Sequence, residues 1–535
     1  MKVISLTLAI WVVLVSQAVA QDSLLLRDYR FVSQGDPWLN QRNAAALTRF
    51  DQGSMARAEL SGGKGDGGLV DYDDSRNTLL AAASVESFCR LSQRAVAFGA
   101  ISYDNWTGRD MTGSAFMQKR LPFNLVEDSL TNTGKKHRDT YQLTGALGVD
   151  ILKDVALGAR MDYTAANYAK YKDLRHQNKL MDMQLTLGAY ASPLNWLHFG
   201  ADYTYHRRTE SVAFGTYGKS ERVYKTLIDY GVFMGRAEQF GNEGFTDKAR
   251  EMPLFEDGHA VSVQAEAKVS RCLSVFGSIA FSGSDGYYGR KSPYTATYTT
   301  HQRNISEAHL AVTCQPTTHK SRHRLDIVLQ KEKLDNHAET FRELTNQGGA
   351  NYYEYYDAVE TGIKRWHDLS VGLTTLWGIR HQLPTWELAA QYQWHKREQT
   401  AYLYPFYRYQ LLKTNGLTLT AQRNLLCRRG VWTLALKAAW RDGTGAPFQD
   451  GSFTTPDQKQ EPPATMDAFL YREYRFLTAT RYSAGGSLQY AFVLPKIRMK
   501  TYARLGIGYD TTSKGNDFTE GNDHTQVVFA IGCSY

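Results

Sequence analysis

The chain has 535 residues and combines a mean hydropathy of -0.44 with 33 Tyr, 23 Phe, 10 Trp and 44 Gly. Aromatic residues are enriched in strands, so this composition favours antiparallel sheet over helix. The formal charge of +8 comes from Lys and Arg residues that are scattered along the chain rather than gathered in a stripe. That distribution argues against a nucleic-acid partner.

The first twenty residues predict a secretory signal peptide. Lys2 precedes the apolar run Val3–Val15, and Ala18-Val19-Ala20 supplies the small residues of a cleavage site. No later stretch of the sequence reaches the roughly 20 apolar residues of a membrane-spanning helix. We therefore expect cleavage after Ala20 and, because only helices and closed barrels cross bilayers, membrane integration through strands.

Residues 21–52 are predicted to form a separate segment ahead of the barrel. Asp36, Pro37 and Trp38 make a turn, and Asn43 caps a short helix that runs through Leu47. Two arrangements stay open for these residues. The segment either covers the periplasmic mouth of the barrel or enters the barrel as a plug.

The predicted barrel spans residues 53–535, and from near residue 77 to the last residue apolar and polar residues alternate with period two. Leu505 and Ile507 fall on one face of their segment, and Lys500 and Arg504 fall on the other. An amphipathic helix would need a period of 3.6. Several of these runs reach the roughly ten residues that a tilted strand needs to cross a bilayer.

The connections between these runs alternate between short turns and long polar loops. Such alternation is typical of outer-membrane barrels with short periplasmic turns and long extracellular loops. The predicted long loops lie near residues 109–138, 213–257, 338–357 and 444–470. The fold class is therefore all-β, an antiparallel transmembrane β-barrel of about 18 strands, within a range of about 14–20.

The predicted strands place both chain ends on the periplasmic side, because their number is even. They lie near residues 54–61, 77–90, 93–108, 139–152, 155–168, 179–191, 196–210, 259–271, 273–285, 301–314, 321–335, 358–375, 384–399, 406–425, 431–443, 474–494, 496–511 and 524–535.

The last strand carries Phe529 on its apolar face and ends in the aromatic residue Tyr535. A terminal aromatic after an alternating strand resembles the C-terminal assembly signal of outer-membrane barrels. It implies the barrel-assembly machinery and outer-membrane lipid as partners, and the outer membrane of a Gram-negative cell as the location.

Charged and polar residues on the other strand faces are candidates for the lining of the lumen. Opposite charges inside a barrel normally neutralise one another across strands, and pore selectivity is the alternative role. The candidates are Arg160, Asp162, His198, Asp202, His206, Glu266, Lys268, Arg324, Asp326, Glu387, Arg498, Lys500 and Arg504.

The sequence contains no motif that predicts a catalytic site, a cofactor site or a metal site. The five Cys and 14 His show no metal-binding spacing, and no nucleophile-elbow or phosphate-loop motif is present. We therefore expect a protein without a cofactor that is not an enzyme, with its cysteines as free thiols rather than disulfides.

Two resemblances add to this interpretation. The stretch around Asp36 and Asn43 resembles the N-terminal portion of the FadL-like fatty-acid transporter barrels, in which an Asn-Pro-Ala motif belongs to a segment inside the barrel; Ala44 replaces the usual Pro. The whole chain resembles the uncharacterised outer-membrane barrels of the Bacteroidota through its leader, this stretch, its long hairpins and Tyr535. The resemblances imply location and fold rather than mechanism.

The favoured function is a transporter or gated channel for a small solute, with apolar solutes among the candidates and residues 21–52 as its plug. The alternative is a structural or partner-binding barrel with a filled lumen. In that case loops 213–257 and 444–470 would bind an external ligand. An enzyme site at the rim of the barrel is a remote alternative.

Overall fold

The computed structural model describes residues 23–118, 124–127, 130–218, 222–240, 252–292, 295–316, 320–455, 460–494, 496, 499–512 and 521–535. The predicted signal peptide with its cleavage site and the predicted lumen residue Arg498 lie outside these ranges.

Strands dominate the described chain. In order they are β1 (Ser54–Asp66), β2 (Asn77–Arg90), β3 (Ala95–Met111), β4 (Asn124–Glu127), β5 (Gly134–Leu152), β6 (Val155–Lys170), β7 (Arg175–Leu194), β8 (Leu197–Gly215), β9 (Lys225–Gly231), β10 (Met234–Gln239), β11 (Met252–Lys268), β12 (Leu273–Ser292), β13 (Thr295–Cys314), β14 (Ser321–Thr345), β15 (Asn351–Trp377), β16 (Trp386–Leu403), β17 (Phe406–Cys427), β18 (Gly430–Gly445), β19 (Gln449–Ser452), β20 (Ala464–Thr465), β21 (Arg481–Leu494), β22 (Met499–Thr512) and β23 (Asp523–Ser534).

The helical elements are few. They are the 3-10 turns Ser23–Leu26, Pro37–Asn40 and Ala44–Arg49, and the helices α1 (Tyr29–Ser33) and α2 (Asp467–Thr478). Within the described ranges, no helix is both long enough and apolar enough to cross a membrane.

The large sheet closes on itself as an antiparallel barrel of 18 strands, which confirms the predicted fold class. The first strand, β1, pairs with the last, β23, over Arg57–Asp66. Closure matters because it leaves no strand edge with unpaired backbone groups. Each of the predicted strands corresponds to one barrel strand.

The two faces of the barrel wall differ as the alternation predicts. On the outer face, Leu436 and Leu505 are each 56% exposed. On the inner face, Lys500 and Tyr502 are buried. Successive side chains of a strand point to opposite sides, so the outer face forms an apolar belt and the inner face is polar.

One end of the barrel has short turns and the other has long connections. Between β5 and β6 only Lys153 and Asp154 intervene, and between β7 and β8 only Asn195 and Trp196. We call these the short-turn end and the long-loop end. All five cysteines lie in the described part of the chain and are free thiols.

Parts of the predicted long loops fold back and form a second, four-stranded sheet in the order β20-β10-β9-β4, here called the inner sheet. A Cβ atom on Gly362 of β15 would lie 2.4 Å from the backbone oxygen of Tyr230, so β9 touches the inner face of the wall. Leu125 and Leu227 are almost fully buried in this sheet. Their apolar runs are too short to reveal a sheet by periodicity.

The predicted strand 474–494 begins too early. Residues Asp467–Thr478 form helix α2, and the strand starts at Arg481. Phe469, Leu470 and Glu473 are the buried side of this helix, with the i, i+1, i+4 spacing of a helical face. Likewise β14 continues to Thr345 and β15 begins at Asn351, so most of the predicted loop 338–357 is strand.

A charge on the apolar belt is expected to destabilise the barrel. Leu436→Lys should cost about 2–4 kcal/mol, because the ammonium group would face hydrocarbon. The neighbouring residue Lys437 points inward, so Lys437→Leu should change stability by less than about 0.5 kcal/mol. Reversible urea unfolding of the protein folded into lipid vesicles measures both values. Equal costs would show that this face does not contact lipid.

Candidate functional site

The segment from residue 23 to residue 52 lies against the inner wall at the short-turn end. The indole of Trp38 is 1% exposed and packs edge-on between Tyr190 and Phe276, with ring centroids 5.1 and 5.2 Å away. Both partner rings belong to barrel strands, β7 and β12. Trp38 therefore anchors the segment to the wall, since aromatic contacts of this geometry add to the free energy of burial.

Asn43 makes the most specific polar contact of the segment. Its Nδ2 donates to the backbone oxygen of Ala189 at 2.9 Å and to Gln264 Oε1 at 3.1 Å, while its Oδ1 accepts from the backbone N–H of Ala45. The last bond caps the short 3-10 turn, as predicted for this residue. An amide is needed here because one side chain must donate to the wall and accept from the turn.

Four glycines form a groove for Asn43 and the alanines after it. A Cβ atom on Gly158 would lie 2.2 Å from the backbone nitrogen of Ala45, and one on Gly188 would lie 2.1 Å from Asn43 Oδ1. Gly148 and Gly158 are partners across β5 and β6, and Gly158 and Gly188 are partners across β6 and β7. Gly200 of β8 completes the groove. Any larger side chain would push the segment off the wall.

Glu266 is the buried acid that receives this segment. Its Oε2 accepts from Trp38 Nε1 at 2.8 Å and pairs with the Arg49 guanidinium at 3.0 Å. Arg49 also pairs with Asp36 at 3.1 Å. Burial lowers the pKa of Arg49, but Asp36 and Glu266 outweigh that effect and the pKa is raised overall. The charge of Arg49 is thereby held in a compensated environment.

Further inner-wall residues hold the start of the segment. Lys500 Nζ donates to the backbone oxygens of Leu25 and Arg27, at 3.1 and 2.8 Å. Arg324 donates to the backbone oxygen of Gln34 at 2.9 Å. These two predicted lumen residues therefore bind the N-terminal segment.

The structure does not bring the remaining predicted lumen residues into one cluster; most form local pairs on the wall. Arg160 pairs with Asp162 at 2.7 Å, His206 with Asp182 at 2.9 Å, Arg324 with Asp326 at 2.7 Å, and Arg504 with Glu59 at 2.8 Å. Asp202 accepts a hydrogen bond from the Gln264 amide, and the His198 ring is hydrogen-bonded to the Tyr190 hydroxyl. Lys268 lies two residues after Glu266 on β11, and Glu387 lines a cavity.

At the long-loop end, inserted segments are held by buried ion pairs with the wall. Arg397 of β16 pairs with Glu473 of α2, with 2.9 Å between Nη1 and Oε1. Lys136 of β5 pairs with Glu127 of β4 at 3.0 Å. Burial raises the pKa of Asp229 in the inner sheet to about 6, against the opposing effect of Lys364. The two ends thus use the same principle, because a charge on the wall meets a counter-charge on the insert.

Two of the cavities in the described part of the barrel each lie between an insert and the wall. The short-turn chamber has a volume of about 450 Å³ and is lined by the N-terminal segment and the wall, including Arg322 and Glu387. The long-loop chamber has a volume of about 520 Å³ and is lined by the inner sheet, α2 and the wall, including Trp366 and Arg441. Volumes of this size accommodate small solutes.

A family model described as a family of unknown function, DUF6850, matches residues 44–535. The chain belongs to this family. The match begins at Ala44, inside the N-terminal segment, and ends at Tyr535. Tyr535 directly follows β23, and its backbone pairs with that of Ala56 in β1. The predicted membership of an uncharacterised family is thereby confirmed, and its source in the Bacteroidota stays a prediction.

Solved structures resemble the chain at low identity. The ferric preacinetobactin receptor from Acinetobacter baumannii has a TM-score of 0.42 and 8% identity, over 90% of this chain and 80% of the receptor. A FadL homologue from Pseudomonas aeruginosa has a TM-score of 0.33 and 11% identity, over 92% of each chain. The FrpB iron transporter from Neisseria meningitidis has a TM-score of 0.40 and 9% identity, over 92% of this chain and 83% of the transporter. A search of curated proteins finds no match.

The glycine groove was not predicted from the sequence. The usable signal is that Gly148, Gly158 and Gly188 each precede or follow a short turn by a few residues on successive strands. Recognising it requires the strand register, which turn positions supply only approximately.

A side chain at Gly158 is expected to release the N-terminal segment and leave the barrel intact. Gly158→Leu should raise the rate of tryptic cleavage after Arg42 and Arg49 by about ten- to a hundredfold, since overpacking costs about 1–3 kcal/mol. Gly145→Leu is the matched control, because Gly145 has open space around its Cβ position. Unchanged cleavage in Gly158→Leu would contradict the groove assignment.

Removing the charge of Glu266 should loosen the same segment. Glu266→Gln keeps a hydrogen-bond acceptor for Trp38 but leaves Asp36 as the carboxylate partner of Arg49. We expect this loss to cost about 1–3 kcal/mol of local stability. Hydrogen exchange of backbone amides 36–49 measures that cost. Glu332→Gln is the control, because Glu332 pairs with Arg303 of the wall. Equal exchange in both variants would show that Glu266 does not hold the segment.

Proposed function

We propose that this protein is a barrel of the outer membrane. The support is physical: the outer face carries an apolar belt, with Leu436 and Leu505 exposed, while the inner face is polar. In water such a belt would be an extensive exposed apolar surface, which soluble monomers avoid. In a bilayer it is the surface that contacts lipid.

Within that location, we propose a gated transporter for a small solute. The observation that carries the proposal is that both chambers reach the inner face of β18. Thr433 lines the short-turn chamber and Arg441 lines the long-loop chamber. Lys437 lies between them on the same face and is exposed. Small residues surround Lys437 there, namely Ala435 on β18 and its register partner Gly485 on β21.

The N-terminal segment acts as the plug of the short-turn end in this proposal, and the inner sheet with α2 acts as the barrier at the long-loop end. Both are attached by hydrogen bonds and ion pairs, including those of Asn43, Glu266 and Arg397. Such polar contacts can be exchanged for water or solute contacts when a segment moves. A purely apolar interface would offer no such exchange.

The chamber walls favour a polar solute over an apolar one. Hydrogen-bonding and charged side chains such as Gln393, His395 and Arg441 line the long-loop chamber beside the aromatic ring of Trp366. An apolar solute would displace water from Gln393 and Arg441 without offering them a hydrogen bond, at a cost for each group that becomes buried.

The second candidate is a partner-binding barrel without transport. Exposed tyrosines at the tip of the β14–β15 hairpin favour it, because Tyr356 is 58% exposed and aromatic side chains are enriched at interfaces. Binding of an external ligand through loops 213–257 and 444–470 stays a prediction. Parts of both loops form the inner sheet and α2.

Conductance across planar bilayers separates the two candidates. We expect a low conductance for the wild-type chain and for variants that loosen one end, either Asn43→Ala with Glu266→Gln or Arg397→Gln. Combining all three substitutions should produce sustained conductance, because both barriers are then weakened. Glu332→Gln is the control. Conductance indistinguishable from that of an empty bilayer in the combined variant would leave the filled, partner-binding barrel.

A further inference from the structure

Two arginines face each other across neighbouring strands inside the long-loop chamber. Arg441 of β18 and Arg481 of β21 are direct register partners, and both line this cavity. Like charges directly opposite on one face of a sheet repel and destabilise the pair. Such a pair needs a compensating negative charge.

Neither guanidinium forms an ion pair within the described part of the chain, although Asp71 and Asp510 lie near enough to favour the charge of Arg481. The Nε and Nη2 atoms of Arg481 are buried and make no hydrogen bond, while the planar group stacks over Phe476 at 4.0 Å. Arg441 has no hydrogen bond or ion pair with another described residue and is exposed to the chamber. A buried donor without a partner costs free energy comparable to a lost hydrogen bond.

The acids around this pair are engaged elsewhere. Glu473 is held by Arg397, and Asp368 pairs with His395 at 2.6 Å. Asp510 accepts from the Ser483 hydroxyl, and Asp71 accepts from the backbone N–H of Tyr72 at 2.7 Å. The chamber is therefore lined by two guanidinium groups, and the carboxylates near them already accept hydrogen bonds from other groups.

We propose that Arg441 and Arg481 form a binding site for an oxyanion, the carboxylate or phosphate group of a small solute in the long-loop chamber. Guanidinium groups bind both oxyanions bidentately, with geometry that matches two oxygen atoms. A bound oxyanion would offset the repulsion within the pair. The inference deepens the proposed transport, because it names the chemistry of the solute.

Binding to the full-length protein in detergent tests the site directly. Isothermal titration with inorganic phosphate and, separately, with succinate distinguishes the two sources of an oxyanion, and glucose serves as the uncharged comparison. We expect binding of at least one anion and none of glucose. Arg441→Gln and Arg481→Gln should each weaken that binding by about ten- to a hundredfold, as for the loss of a charge-assisted hydrogen bond.

Two further variants separate the site from general charge and from folding. Arg76→Gln removes an arginine that pairs with Asp110 outside the lining of both chambers, so it should leave binding unchanged. Arg481→Lys keeps the charge and the packing on Phe476 but loses the fork, so it should bind more weakly than wild type. Circular dichroism confirms that each variant is folded.

Absence of anion binding, or equal binding in wild type and Arg441→Gln, would overturn the site. Because binding is measured without transport, its result is distinct from that of the conductance experiment. Arginine-dependent binding in a barrel that never conducts would support the site and remove the transport proposal. Conductance without arginine-dependent binding would support the transport proposal and remove the oxyanion site.

Discussion

The size of the barrel is the constraint on which the rest of the structure depends. Side chains from the wall fill a barrel of about eight strands, but a wider one leaves an interior that they cannot span. With 18 strands, this chain must fill its interior with additional backbone or with water. In the described part of the chain the N-terminal segment, the inner sheet and α2 enter the interior, and two chambers lie between these inserts and the wall.

Inserted backbone has to satisfy its own polar groups and neutralise the charges that it meets. At the short-turn end, Asn43 and Lys500 supply donors to carbonyl oxygens, and Glu266 meets Arg49. At the long-loop end, Arg397 meets Glu473. Pairs of this kind add little net stability when buried, but breaking one side is costly, so they define position more than they add strength. In the proposed transporter, that property suits an insert that is placed accurately and can still move.

The Arg441–Arg481 pair departs from this pattern. At several other places on the inner wall a charge meets its counter-charge on the same strand, on a neighbouring strand or on an insert, as Arg160 meets Asp162. Here two like charges meet, and neither forms an ion pair with a described residue. Sites that break the local rules of a fold are often functional, because only a ligand completes them. This contrast is the reason for placing solute recognition in the long-loop chamber.

The sequence by itself determined the barrel, the two faces of its wall and the short segment ahead of it. Period-two alternation over about ten residues is a local property, and it identified the strands without knowledge of their partners. The capping role of Asn43 was visible for the same reason. Only the tertiary structure decided where the segment lies, that Gly148, Gly158 and Gly188 receive it, and that loop residues such as Leu227 form a second sheet. Those contacts join residues far apart in the chain, and their partners depend on strand register and on the width of the closed barrel, which no local pattern encodes.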